Sequence, residues 1–192
     1  MNKFFPVFLF VFSLSIYAAE YDIDPAHSSV SFKIKHLSIS TVMGRFDKFS
    51  GTVDLDPNNL KAIKTSAAIE TVSVDTDDTK RDDHLRGPDF FDAAKFPQMT
   101  FVSKEAKENG KNKLAIAGDL TLHGVTRPVV LDAEFSGAVK DPWGGERAAF
   151  TASTTINRKD FGMTFNKTLD TGGLMVGDEV RIEIAIEAVK KK

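Results

Sequence analysis

Apolar and polar side chains alternate along most of this chain, and a period of two marks strands that bury one face only. In the first run Val30, Phe32 and Ile34 alternate with Ser31, Lys33 and Lys35; in the second, Phe49, Gly51, Val53 and Leu55 alternate with Ser50, Thr52 and Asp54. Ile63, Ala67 and Ile69 share a parity, as do Met99 and Phe101. Leu114, Ile116, Gly118 and Leu120 form the next face, followed by Val129, Leu131, Ala133 and Phe135. Ala148, Phe150, Ala152 and Ile156 make a seventh run, and Val180, Ile182, Ile184 and Ile186, set against Arg181, Glu183 and Glu187, an eighth. Turn residues separate the runs: Asp56-Pro57-Asn58-Asn59, Glu108-Asn109-Gly110, His123-Gly124, Asp141-Pro142-Trp143-Gly144-Gly145 and Thr171-Gly172-Gly173. Connections this short favour antiparallel neighbours.

One stretch departs from the pattern. From Asp77 to Lys95 a charged run followed by His84-Leu85-Arg86 and Phe90-Phe91 reads as one or two short helical turns in a long connection that stops before Phe96-Pro97. There is no internal repeat, linker or low-complexity tract, so the strands belong to one all-β domain. They hide their apolar faces either between two packed sheets or inside one sheet closed on itself. The inward parity includes Gly51, Ala67, Gly118, Ala133, Ala148 and Ala152, and so many small residues leave the centre of a barrel of about eight strands unfilled. Such a space suits one apolar ligand. In a sandwich the same residues would let the sheets approach closely, and alternation alone leaves that alternative open.

The first residues change the picture of where the chain works. Met1-Asn2-Lys3 precedes an uncharged apolar stretch from Phe4 to Ala19, the form of a secretory signal peptide. The stretch is shorter than the about 20 residues of a membrane span, contains Pro6, and gives way at once to Glu20-Tyr21-Asp22. The expected organisation is a signal peptide over residues 1–19, cut after Ala18 or Ala19, and a single unanchored domain over residues 20–192. Cysteine is absent, which excludes disulfides, thiolate metal sites, cysteine nucleophiles and a thioether lipid anchor. The formal net charge is −2 and becomes one unit more negative when Lys3 leaves with the leader. Neither a nucleic-acid footprint nor a polybasic membrane signal is present, and Lys190-Lys191-Lys192 reads as a solvated tail.

Candidate chemistry is sparse. Asp75-Thr76-Asp77-Asp78-Thr79 resembles the opening of a calcium loop, but Lys80 stands where the turn needs Gly and Arg86 where a bidentate Glu is required. Helix capping accounts for these carboxylates better. His27, His36, His84 and His123 show no metal-ligand spacing, so no metal or other cofactor is expected. His36 continues the inward parity of Val30, Phe32 and Ile34 and falls at the barrel's end, as a polar group near a pocket mouth or a hydrogen-bonded strand end. Asp160-Phe161-Gly162 lacks every companion of the kinase triplet it matches, and no nucleophile elbow or phosphate loop occurs. No catalytic residue is assigned. Phe90, Phe91, Phe96, Phe161 and Phe165 lie outside the alternation, as aromatics do that fold back over a core or a cavity mouth.

Several spaced motifs together point to a family. Arg81-Asp82-Asp83-His84-Leu85-Arg86, Asp89-Phe90-Phe91-Asp92, Phe96-Pro97-Gln98-Met99-Thr100-Phe101 and the run from Gly118 to Val129 resemble the YceI-like family of lipid-binding periplasmic proteins. The resemblance continues through Asp141-Pro142-Trp143-Gly144-Gly145, Ile156-Asn157-Arg158-Lys159-Asp160-Phe161-Gly162 and Gly172-Gly173-Leu174-Met175-Val176-Gly177-Asp178-Glu179-Val180. It implies an extended lipocalin-like barrel of eight antiparallel strands with a helical segment near one end, a periplasmic location, and a tunnel holding a polyisoprenoid or related long-chain amphiphile. Some members look dimeric, so a homodimer is among the expectations. On this reading the walls comprise Phe32, Ile34, Phe49, Val53 and Phe101, with Leu120, Leu131, Phe150, Ile182 and Ile184. Trp143, Phe161 and Leu174 would stand near the ends, and His36, with Arg81 and Arg86, would face a head group. The alternatives are an enzyme acting on such a lipid, marked by an acid–base pair in the cavity, and a partner-binding module with a filled interior.

Overall fold

The computed structural model describes residues 18–168 and 173–192, so the expected signal peptide, but for its last two residues, and Thr171-Gly172 of the last expected turn lie outside the described residues. In chain order the strands are β1 (Ala19–Ile23), β2 (Ser29–His36), β3 (Ser40–Phe46), β4 (Phe49–Leu55), β5 (Lys64–Glu70) and β6 (Val74–Asp75). After α1 (Thr79–Arg86) come β7 (Gln98–Glu108), β8 (Lys113–Leu122), β9 (Val125–Lys140), β10 (Glu146–Asn157) and β11 (Val176–Lys190). All pair antiparallel. The pairs β1–β4 and β2–β3 are two parts of one long hairpin, and β4–β5 and β3–β6 are two parts of the next. Three long strands are thus each interrupted by a short kink. From β5 the sheet runs through β7, β8, β9 and β10 to β11, which returns to both β2 and β1. The ring is a closed eight-stranded antiparallel barrel in up-and-down order, and each of the eight alternating runs lies in one of its long strands. Closure removes the free edges that an open sheet would expose.

Three segments were not legible as strands, of which β6 is only two residues long. β1 follows the leader directly, and in β3 the inward set Val42, Gly44 and Phe46 is diluted by the preceding Leu37-Ser38-Ile39-Ser40-Thr41. The helix does form in the long connection. The side chain of Asp78 caps it, accepting from the Arg81 backbone N–H at 3.1 Å, while Asp75 and Asp77 face the Arg45 guanidinium. Arg86 donates to the carbonyls of Val72 and Val74, each at 2.8 Å. Arg81 donates to the Thr76 hydroxyl and carbonyl at 2.7 and 2.8 Å. Buried Asp82 accepts from the Thr76 N–H and hydroxyl at 2.8 and 2.6 Å. These bonds fasten α1 to the end of one strand, across one mouth of the barrel.

The small inward residues divide into two kinds, which corrects the expectation that all leave space. At Gly118 an added Cβ would lie 2.5 Å from Cζ of Phe101, and at Gly51 it would lie 2.8 Å from Cδ1 of Ile23. Large neighbours therefore fill the room that these glycines vacate. Ala148 is buried in the closed end. Ala67, Ala133 and Ala152 border empty volume.

At the end opposite α1 the barrel is solid. Tyr21, Leu55, Leu60, Leu114, Phe135, Ala148 and Ala188 pack together there, nearly free of solvent contact. An ionic cluster surrounds this end: Arg147 donates to Asp24 at 3.0 Å, Asp141 at 3.2 Å and Glu187 at 2.6 Å. Several carboxyls sit below the usual carboxylate range. Asp24 is lowered by His27 and then Arg147, Asp141 by the Gly145 N–H and then Arg147, and Glu146 by the Tyr21 hydroxyl and then Lys190. A depressed acid stabilises the fold above its unfolded pKa and loses that contribution as pH falls through its folded value. Urea midpoints are expected to fall between about pH 5 and about pH 3, and Asp141→Asn should flatten that fall.

Candidate functional site: a two-chamber apolar column

Because every long strand turns its apolar parity inward, the axis of the barrel is lined by hydrocarbon, and part of it is empty. An outer chamber of 230 Å³ lies under α1. An inner chamber of 140 Å³ lies deeper in the barrel. Met99 and Ile182 line both and stand at their junction. Together the chambers reach the lower part of the range of about 300–1,000 Å³ typical of small-molecule sites. Along β11 the lining extends from Val176 to Ile186. β11 bulges between Val176 and Val180, which oppose His36 and Ile34, so at about 3.4 Å per paired residue and a strand tilt of about 40° that interval corresponds to a column about 20 Å long.

The structure places most of the wall residues expected from parity on this column. Phe32, Ile34 and His36 face the outer chamber; Phe49, Val53, Phe101, Leu120, Leu131, Phe150 and Ile184 face the inner one; Ile182 faces both. Three end positions are corrected. Trp143 is 84 % exposed: β9 runs on past its last pair with β8, and Asp141 accepts from the Trp143 and Gly145 N–H groups to fold a turn beyond the barrel rim. Phe161 is buried in solid core beside the outer chamber, with its carbonyl 3.1 Å from Nδ1 of His123. Leu174 pairs with Thr168 in an isolated bridge and borders neither chamber. Arg86, committed to strand carbonyls, does not border them either.

Other lining residues escaped the sequence reading. Val42 and Phe46 come from the unread strand β3 and Leu85 from α1, whereas Phe90, Phe91 and Phe165 fold back over the mouth as aromatics outside the alternation were expected to. Phe165 packs edge-on to His84 at 5.1 Å and against Phe90 at 5.2 Å, covering the mouth. In the inner chamber Thr65 and Thr154 are the polar side chains. Gly44 is a concealed determinant, since a Cβ there would meet Cζ of Phe32 at 2.4 Å and Cγ2 of Thr76 at 2.8 Å. Gly44→Ala is expected to push the Phe32 ring into the outer chamber, costing about 1–3 kcal/mol. A lowered urea midpoint together with reduced lipid uptake would check it.

Charge is confined to one end. Lys35, His36, Arg81, His84 and Arg158 border the outer chamber, and among the described residues no charged side chain borders the inner one and no carboxylate borders either. Arg158 is buried and donates to the carbonyls of Met163 at 2.6 Å and Gly177 at 2.8 Å. Burial lowers its pKa, partly offset by Asp178. Nε2 of His84 lies 2.9 Å from Asp89, at the surface. The column can therefore enclose a hydrocarbon chain and meet a polar group at one mouth.

Comparison with known proteins agrees with this architecture. A UPF0312 protein of Vibrio vulnificus is 43 % identical over 176 residues, covering 91 % of this chain and 89 % of its own. The crystal structure of BcnA from Burkholderia cenocepacia superposes with a TM-score of 0.76 at 30 % identity, covering 86 % of this chain and 98 % of BcnA. A polyisoprenoid binding domain from Saccharophagus degradans, implicated in plant cell wall breakdown, shares the fold at a TM-score of 0.66 and 15 % identity, over 91 % of this chain and 99 % of that domain. The YceI-like domain matches residues 21–188, and with that span, these relatives and the closed barrel, the chain belongs to the YceI-like family.

Proposed function

We propose that this protein binds a long apolar isoprenoid-type lipid, a polyprenyl or quinone-like amphiphile, inside the barrel, and carries or stores it. The observation that carries the reading is the column itself, two abutting apolar chambers whose charged lining groups, among the described residues, all stand at one end. Burial supplies the driving force. A tail that removes about 400 Å² of apolar surface from water gains about 10 kcal/mol, within the cost of about 4–15 kcal/mol that association imposes. Longer chains thus bind more tightly than shorter ones for as long as they have apolar wall to cover. The polyisoprenoid binding domain of Saccharophagus degradans has the same fold, which supports the ligand class.

Binding without catalysis is the better-supported reading. An acid–base pair inside the cavity would favour an enzyme, whereas the described residues of the lining offer histidine, lysine and arginine and no carboxylate. Export of the domain over residues 20–192, by removal of the leader, is part of the proposal, since a carrier of this kind serves where an apolar lipid crosses an aqueous space. The test is native mass spectrometry of protein purified without detergent, followed by organic extraction. One isoprenoid-type lipid per chain is expected. Protein that is always bare, and that takes up neither added polyprenol nor added quinone, would overturn the reading.

A further inference from the structure

The chambers end differently, and this gives the column a direction. Among the described residues, charged groups border only the outer chamber, under α1, while the inner chamber carries no polar side chain beyond Thr65 and Thr154. A head group desolvated in the inner chamber would find no charged partner. The tail therefore enters first and runs toward the solid end.

What it meets there is specific. Phe150 borders the inner chamber, and its ring lies against Phe135 with centroids 5.1 Å apart. Ala149 opposes Gly137 while Phe150 opposes Phe135, so Ser136 is an extra residue and β9 bulges at this level. Gly137 has a φ of +131°, which L side chains rarely adopt. Below the last β8–β9 pair, Lys113 with Glu134, the Phe135 N–H turns to the Asn112 carbonyl at 2.8 Å. A bulge bends its strand and re-aims side chains; this one lies where the two phenyl rings meet at the floor of the inner chamber. Behind them Tyr21, Leu55, Leu114 and Ala188 leave no solvent-accessible gap. One strand pair nearer the mouth, Ala152 opposes Ala133, and both border the empty volume. The column is thus open at the level of two alanines and shut one level deeper by two phenylalanines.

We infer that the Phe150–Phe135 pair is a chain-length stop, so that the protein selects its lipid by how far the tail reaches before it meets these rings. The inference rests on the lipid-binding reading and adds a specificity determinant to it. Affinity rises with each added isoprene unit while the tail still has apolar wall to cover, and the rise ceases once the tail touches Phe150. Further units remain in water at the mouth or force the tail to fold.

The experiment is competitive binding of a series of polyprenols of about three to about eleven isoprene units, chosen to bracket a column about 20 Å long, with stoichiometry read by native mass spectrometry. For the wild type, affinity should climb and then level off at a defined length. Phe150→Ala opens the stop by about one strand level on each side, about 7 Å, and should move that length up by about one to two units. Ala152→Leu fills the space above the stop and should move it down by a similar amount. Should Phe150→Ala fail to fold, Phe150→Leu supplies the same direction with a smaller shift. If these variants bind polyprenols with the length preference of the wild type, the stop is overturned and lipid binding stands. If the wild type binds no polyprenol of any length, the lipid reading falls and the stop falls with it.

Discussion

Met99→Trp is expected to lower affinity for a long-chain polyprenol by roughly 50–100-fold while leaving a short prenyl alcohol little affected. Met99 faces empty volume on both sides of the junction, so an indole there has room to sit and closes the passage between the chambers. A tail confined to the outer chamber leaves its distal part in water. Each 100 Å² of apolar surface so stranded costs about 2.5 kcal/mol, roughly a 70-fold loss. Short ligands never reach the junction and lose nothing comparable. Isothermal titration of both ligand lengths against both proteins, with a urea midpoint to confirm the fold, checks the prediction; equal losses for short and long ligands would contradict it.

The second large effect concerns stability. Arg158 is 2 % exposed and its guanidinium joins the turn after β10 to the start of β11 through the carbonyls of Met163 and Gly177. Arg158→Ala leaves those acceptors without a donor in a site that excludes water, at about 1–3 kcal/mol each. A loss of about 3–5 kcal/mol is expected, or roughly 6–20 °C in Tm for a domain of this size. Arg158→Lys should recover only a part, because an ammonium cannot reproduce the planar fork that serves several acceptors at once. Met163 and Val176 border the outer chamber, so the Ala variant should also release bound lipid faster. Calorimetry and a lipid-displacement time course check the two parts separately.

How much of this was written in the sequence depends on the element. In an antiparallel barrel with one face in water, inward and outward residues must alternate, which is why Phe32, Phe101, Leu131, Phe150 and Ile184 could be placed on the inner wall from parity alone. Parity ends where strands end. Trp143, Phe161 and Leu174 sit in turns and loops, whose side-chain directions depend on local bonds such as those of Asp141, and these positions did not follow from alternation. The helical connection announced itself by composition, and Phe90 and Phe91 by standing outside the alternation, yet nothing in its order shows that Arg86 turns toward strand carbonyls while Arg81 borders the chamber. Glycines mislead for another reason. A missing side chain at Gly118 looks like free space until Phe101, from the adjacent strand, is seen to occupy it.

The account stands or falls on a hydrocarbon chain reaching the inner chamber. Co-crystallisation with a long-chain lipid brominated at its tail end measures this directly, through the anomalous signal of the halogen. The predicted peak lies beside Phe150, Ala152 and Ile184, with continuous density back past Met99 to His36. A bromine found only on the outer surface, or an interior whose side chains close over both chambers, would contradict it.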